Sequence, residues 1–368
     1  MMIVKFFKKY TVFCVAALAA VITCFLVPPD KEYLGYFDWK TLACLFLTLA
    51  VVCALRNIKF FTIVARRLVT ISGNLRGLFF MLISITFIGS MVIANDMALI
   101  TFLPLGYFAI TVTGKEKYIP YLFVLQNISA NLGGMLTPFG NPQNLYLYSY
   151  FNIPTGEFCE IMLPPFLLAV ALLSVCCLLV KPEKLVINED FPEKLDIKKT
   201  ILYMVLFALS LLIVFRLIPF WVGMIIVPLV LFFVDKESLL MVDYALLGTF
   251  FFFFIFAGNL PRIEEVNLLI SSLLQKNTLI VSVLSCQGIS NVPSAILLSK
   301  FTSDYKALLL GVNIGSAGTL ISSLASLITF NEFRILYPGH TKKYFWLFTL
   351  INIIFLAVMT IAALLFFV

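Results

Sequence analysis

Long apolar runs separated by short polar loops dominate the chain, and none shows the alternation of barrel strands. One run follows the basic start MMIVKFFKKY and ends near Val27, and the next covers residues 40–55. Further runs cover 78–94, 98–111, 118–150 and 161–180 in the first half, then 201–217, 221–234, 244–259, 277–300, 305–330 and 344–368. At about 20 apolar residues per crossing, the pattern predicts roughly ten or eleven membrane elements, all helical. Residues 59–72 mix apolar and basic positions as an interfacial helix does, and 260–275 form a second, more polar segment.

Four places break the apolar pattern with Asn, Ser, Thr or Gly: residues 94–97, 133–144, 290–293 and 315–323. A break inside a bilayer frees backbone N–H and C=O groups, so it belongs where protein buries it or a wet cavity receives it. The breaks come in matched pairs. Asp38 and its following run align with Asp243, Asn95 with Asn291, and Asn131, Gly133 and Thr137 with Asn313, Gly315 and Thr319. The fold predicted is an all-α polytopic membrane protein of two inverted-topology repeats, each with a re-entrant hairpin and a discontinuous transmembrane helix. Residues 1–37 form a first helix and external loop. Repeat 1 spans 38–180, a cytoplasmic linker 181–199 and repeat 2 spans 200–343, with a last helix at 344–368. The first hairpin enters from the cytoplasm, the second from outside.

Charge supports that topology. If each hairpin leaves on the side it entered, only Lys31, Lys40, Arg216, Arg262, Lys276, Lys300 and Lys306 of the 26 basic residues lie outside. Lys5, Lys8 and Lys9 then hold the N-terminus in the cytoplasm, within a plasma (inner) membrane protein. A full crossing at residues 78–111 would move Lys115, Lys117 and the lysine-rich linker outside. Arg216, near an external span end, is expected to snorkel to the interface.

Composition narrows the function. Of 368 residues, 62% are hydrophobic and 12% charged, which excludes a soluble globular fold and a disordered chain. The net charge of +7 contains no basic cluster suited to nucleic acid. The eight cysteines lie almost wholly in apolar runs with no CxxC pair, and the one histidine, His340, is in a loop. No disulfide, zinc site or organic cofactor is expected, and no His pair, acid pair or Ser/Lys dyad within the spans points to an enzyme. Asp96 is the sharpest residue: no basic residue lies between Arg76 and Lys115, and an acid in mid-membrane marks an ion or proton pathway. Asp38 and Asp243 read as helix caps.

The order of motifs carries a resemblance. Ala94-Asn95-Asp96, the run from Asn131 through Gly134, Thr137, Gly140, Asn141 and Pro142 to Asn144, and Ser290-Asn291-Val292-Pro293-Ser294 resemble the ion transporter superfamily of divalent anion/sodium symporters, citrate carriers, arsenite permeases and some sodium/proton antiporters. The resemblance implies a homodimer whose protomers each move a transport unit against a scaffold, an elevator. Asp96 and Val292 stand where the symporter branch carries Thr, which resembles the arsenite-permease and antiporter side. The expectation is an ion-coupled secondary transporter of a small di- or tricarboxylate-like anion in a lipid bilayer. Asn291, Ser290, Ser294, Thr319, Asn141 and Asn144 are expected to face the anion. Asp96, the one candidate metal ligand, is expected to hold Na+ or H+ with Asn95, Asn131, Gly133, Gly134, Thr137, Asn313, Gly315 and Gly318. Cation/proton antiport and arsenite efflux are the rivals, and a passive channel is the outlier.

Overall fold

The structure is a computed structural model that describes residues 11–69, 72–185 and 195–367. Lys5, Lys8, Lys9 and Lys194, which the charge argument used, lie outside the described residues.

Helix α1 is Thr11–Leu26, followed by α2 (Trp39–Asn57), α3 (Phe60–Val69), α4 (Leu75–Ile93), α5 (Asn95–Val112), α6 (Ile119–Gly133), α7 (Pro142–Tyr150) and α8 (Thr155–Leu178). The second half runs α9 (Ile197–Val214), α10 (Phe220–Val234), α11 (Lys236–Leu240), α12 (Tyr244–Asn259), α13 (Glu264–Lys276), α14 (Thr278–Ile289), α15 (Asn291–Leu298), α16 (Tyr305–Ile314), α17 (Leu324–Leu336) and α18 (Thr341–Ala362). Among the described residues seven helices are long and apolar enough to cross a membrane, and four shorter ones of 10–17 residues are also apolar. The protein is an all-helical, multi-pass membrane protein. Large apolar side chains such as Leu18, Phe25, Leu167, Leu229, Phe233 and Leu365 stand exposed on the outer helices, where lipid rather than water is the matching solvent.

One order of elements occurs twice: long helix, short helix, helical hairpin, broken helix, final helix. The starts are capped alike. Asp38 accepts from Thr41 N and Asp243 from Leu246 N, both at 3.0 Å; Asn74 accepts from Gly77 N at 2.9 Å and Asn277 from Ile280 N at 2.8 Å. Each satisfies a backbone donor that the helix leaves orphaned.

Loop contacts group the segments by side. Asn74 bridges to Lys184, Arg76 Nε donates to Val180 O at 2.8 Å, and Lys115 pairs with Glu183. Asn57 donates to both carboxylate oxygens of Asp235, and Arg262 pairs with Asp30 and Glu32. Every one of these contacts joins segments that the hairpin topology assigns to the same side. A full crossing at α4–α5 would put the ends of several of them on opposite faces.

The helices pack as two bundles. α1, α2, α9, α10, α11 and α12 form one; α4–α8 and α14–α18 form the other. The bundles meet chiefly where α7 packs on α2 and α15 on α12. Their counterparts in the other half, α17 with α12 and α5 with α2, barely touch. The second bundle is therefore seated unevenly against the first.

Candidate functional site

The two hairpin tips share a backbone conformation that L-residues seldom adopt. Ala94 has φ 64 and ψ 150, and Ser290 has φ 74 and ψ 158. This region is close to glycine-only, so two non-glycine residues there at matched positions store strain at the tips. The next residue stabilises each turn: Asn95 Oδ1 accepts from Asp96 N and Asn291 Oδ1 from Val292 N, both at 2.9 Å.

Each tip docks on the gap in its own broken helix. Thr137 Oγ1 donates to Met91 O at 2.9 Å, and Thr319 Oγ1 donates to Gln287 O at 3.1 Å. Asn291 N donates to Ser322 O at 2.9 Å, and Gln287 spans the second gap by donating to Gly315 O and accepting from Thr319 N. These bonds satisfy several of the backbone groups that the breaks free. The glycines serve the close approach. A Cβ on Gly133 would lie 2.4 Å from Phe87 O, on Gly134 2.4 Å from Asn141 Oδ1, and on Gly318 2.0 Å from Gln287 Oε1. A Cβ on Gly315 would lie 2.9 Å from Cys286 Cβ.

A buried amide network joins the two gaps. Asn95 Nδ2 donates to Asn131 Oδ1 at 3.2 Å; Asn141 Nδ2 donates to Asn131 O and to Asn313 Oδ1. Asn313 Nδ2 donates to Asn144 Oδ1 at 2.6 Å, and Asn144 Nδ2 lies on the carbonyls of Gly134, Met135 and Thr137. Thus Asn95, Asn131, Asn141, Asn144 and Asn313 come together as one cluster. Asn144 is spent on the backbone, which makes it a strut. Gln143, not singled out as a site residue from the sequence, joins through Asn313 at 3.4 Å. The cluster keeps unused capacity: Asn131 Nδ2, Asn141 Oδ1 and Gln143 Oε1 are buried without partners. One free donor suits an anion and two free oxygens suit a cation.

Ser290 and Thr319 also sit at the second tip and gap, whereas Ser294 is bonded within its hairpin to Ser285 at 2.8 Å. Asp96 stands apart from the amide cluster. Its carboxylate takes no hydrogen bond or ion pair among the described residues, and it lines a narrow cavity of about 50 Å³. The other walls come from Leu45, Thr48 and Leu49 of α2, from Asp243 and Leu246, and from Leu324 and Ile328 of α17. The cavity therefore occupies the gap left by the uneven seating of the bundles, with room for a few waters or a small ion. Asp243 does more than cap its helix: it faces the same cavity as Asp96. Only the tertiary fold shows this, because the two acids are distant in sequence. Among the described residues no group of three or more His, Cys, Asp and Glu could hold a metal, so a cation here would rest on carboxylate, amide and carbonyl oxygens.

Other features were invisible in the sequence. Asn127, Thr329 and Asn352 form a buried chain tying α6 to α17 and α18. Arg216 has a partner the sequence did not suggest: its guanidinium lies 4.3 Å from the Tyr148 ring centroid and donates to Tyr148 O. The ring and the carbonyl of a neighbouring helix hold it half-buried.

Comparison with known proteins adds the lineage. The family model described as citrate transporter matches residues 1–307. An uncharacterized transporter of Methanocaldococcus jannaschii is 35% identical over 299 residues, 81% of this chain and 82% of the relative. Inner membrane protein YbiR of Escherichia coli is 28% identical over 344 residues, 89% of this chain and 88% of the relative.

Proposed function

We propose, from the premise that the chain belongs to the citrate transporter family, that this membrane transporter is an ion-coupled secondary carrier of small di- or tricarboxylate-like anions. The observation that carries the reading is the matched pair of strained, asparagine-bearing tips, each docked on a broken helix, with the two broken helices joined through one buried amide network. Ser290, Asn291, Thr319 and Asn141 would meet the anion, with the free NH2 of Asn131 behind them. Na+ or H+ would be carried at Asp96, opposite Asp243.

Coupling follows from electrostatics. A cation at Asp96 neutralises a carboxylate that would otherwise have to move past apolar surface, so the loaded unit moves and the ionised empty one resists. The uneven seating of the bundles supports alternating access: one set of equivalent contacts is made and the other is open. Inverted repeats make the open set a description of the opposite state. The repeats are read as residues 38–180 and 200–343, the unit as moving in an elevator stroke, and the assembly as a homodimer in the inner membrane with a cytoplasmic N-terminus.

Uptake into proteoliposomes of citrate, succinate, malate, arsenite, sulfate and Na+, under separate Na+ and pH gradients, tests the proposal. Saturable carboxylate uptake driven by one gradient is expected. Uptake that ignores both gradients would remove the coupling. The second reading is cation/proton antiport, favoured by the facing acids Asp96 and Asp243. It predicts gradient-driven Na+ flux with no anion requirement.

A further inference from the structure

A second and larger cavity, of about 350 Å³, lies where the two bundles are in contact rather than where they gape. Its scaffold wall carries Asp38 and Lys40, at the start of α2. Its other wall carries Tyr146, Ser149 and Tyr150 of α7 together with Lys300, which follows α15. The volume is that of a small-molecule pocket.

The charge in this cavity is unbalanced. Lys40 and Lys300 approach it from different bundles, and neither forms an ion pair among the described residues. Asp38 is the one carboxylate among the lining residues; Oδ1 accepts from Thr41 N at 3.0 Å and Oδ2 from Thr41 Oγ1 at 2.5 Å, and it keeps its negative charge, so the wall sets one negative charge against two positive ones. Lys300 is half-buried, with its ammonium 4.4 Å from the centroid of the Tyr150 ring. That contact offsets part of its desolvation but supplies no counter-charge. Two half-buried ammonium groups thus converge on a polar cavity whose wall offers one carboxylate, and an oxyanion between them would be held by charge-assisted bonds from both.

We propose that this cavity is a second anion site, separate from the hairpin tips, which binds a carboxylate or phosphate oxyanion between Lys40 and Lys300. The oxyanion belongs either to a soluble di- or tricarboxylate or phosphate, or to the headgroup of an anionic lipid. Because the two lysines belong to different bundles, the bound anion ties the bundles together in the seating seen here. This consequence rests on the alternating-access reading; the binding itself does not.

The test uses the full-length protein in nanodiscs of phosphatidylcholine, with equilibrium binding of radiolabelled citrate and of inorganic phosphate at constant ionic strength. The variants are Lys40→Gln with Lys300→Gln, the conservative pair Lys40→Arg with Lys300→Arg, and Asn291→Ala. A second citrate-binding phase is expected that survives Asn291→Ala and the arginine pair. It should weaken by about tenfold or more in the glutamine pair. If citrate and phosphate show no such phase, native mass spectrometry in discs containing phosphatidylglycerol decides the source. Retained lipid that the glutamine pair releases and the arginine pair keeps assigns the oxyanion to a headgroup. Binding of soluble anion and lipid that is equal in wild type and the glutamine pair overturns the proposal. Failure of carboxylate transport with this binding intact would overturn the functional reading alone.

Discussion

Asp96 and Asp243 share one narrow cavity, and what each contributes separates in mutants. Asp96→Asn should carry anion downhill but lose accumulation against a gradient, measured as the ratio of internal to external citrate. Asp243→Asn keeps the carrier carboxylate and removes the second negative charge. Its half-saturating Na+ or H+ concentration should rise by about tenfold, the scale of a 1.4 kcal/mol change in cation binding. The strained tips give an independent check. Ala94→Gly and Ser290→Gly should each raise the melting temperature, by relief of about 1 kcal/mol, because glycine adopts φ near +70 freely. Lowered melting temperatures would show that the strain is not there. Asn95, Asn131 and Asn291 were legible in the sequence because each marks a break in an apolar run. Asn127 and Asn352 were not, because a single amide in an unbroken run gives no sign of its partner. Gly133, Gly134, Gly315 and Gly318 are expected to shape an ion site; the structure shows each pressed against neighbouring chain, which demands glycine whether or not an ion binds.

Among the elements, breaks and caps were the most legible part of the fold, because Pro, Gly and Asn act locally. The short helix α3 followed from its mixed polarity, whereas the segment that holds α13 stood out only as more polar. How the broken helices cross was not legible: α17 packs on α5 of the other half, and α7 on α15, and that choice belongs to shape complementarity between distant segments. The loop pairs make an element-scale prediction about pH. The Lys115 ammonium holds the Glu183 carboxyl below its ordinary 4.5, and the Arg262 guanidinium holds Asp30 below its ordinary 3.8. Both shifts are downward, so what these pairs contribute is fully present above the ordinary values and is lost as pH falls through the folded ones. The difference in melting temperature between wild type and Lys115→Ala, or Arg262→Ala, should be constant down to about pH 5 and shrink below it. High salt should also shrink it, because both pairs are solvent-accessible. A difference that grows on acidification would show that the pairs do not set it.

For the molecule as a whole, the uneven contact between bundles is the central fact. In the seating seen here Tyr146 of α7 meets Phe254 of α12, ring centroids 5.7 Å apart. The equivalent residues in the repeat are Ile328 of α17 and Leu49 of α2, and both line the open cavity that holds Asp96. If the halves exchange roles, Ile328 must close on Leu49 as Tyr146 parts from Phe254. The direct measurement is cross-linking in membranes, in a background stripped of the eight native cysteines, of Tyr146→Cys with Phe254→Cys and of Leu49→Cys with Ile328→Cys. Both pairs should cross-link, with yields that move in opposite directions when citrate is added with Na+ or at low pH. Cross-linking of the first pair alone, under every condition, would contradict the account.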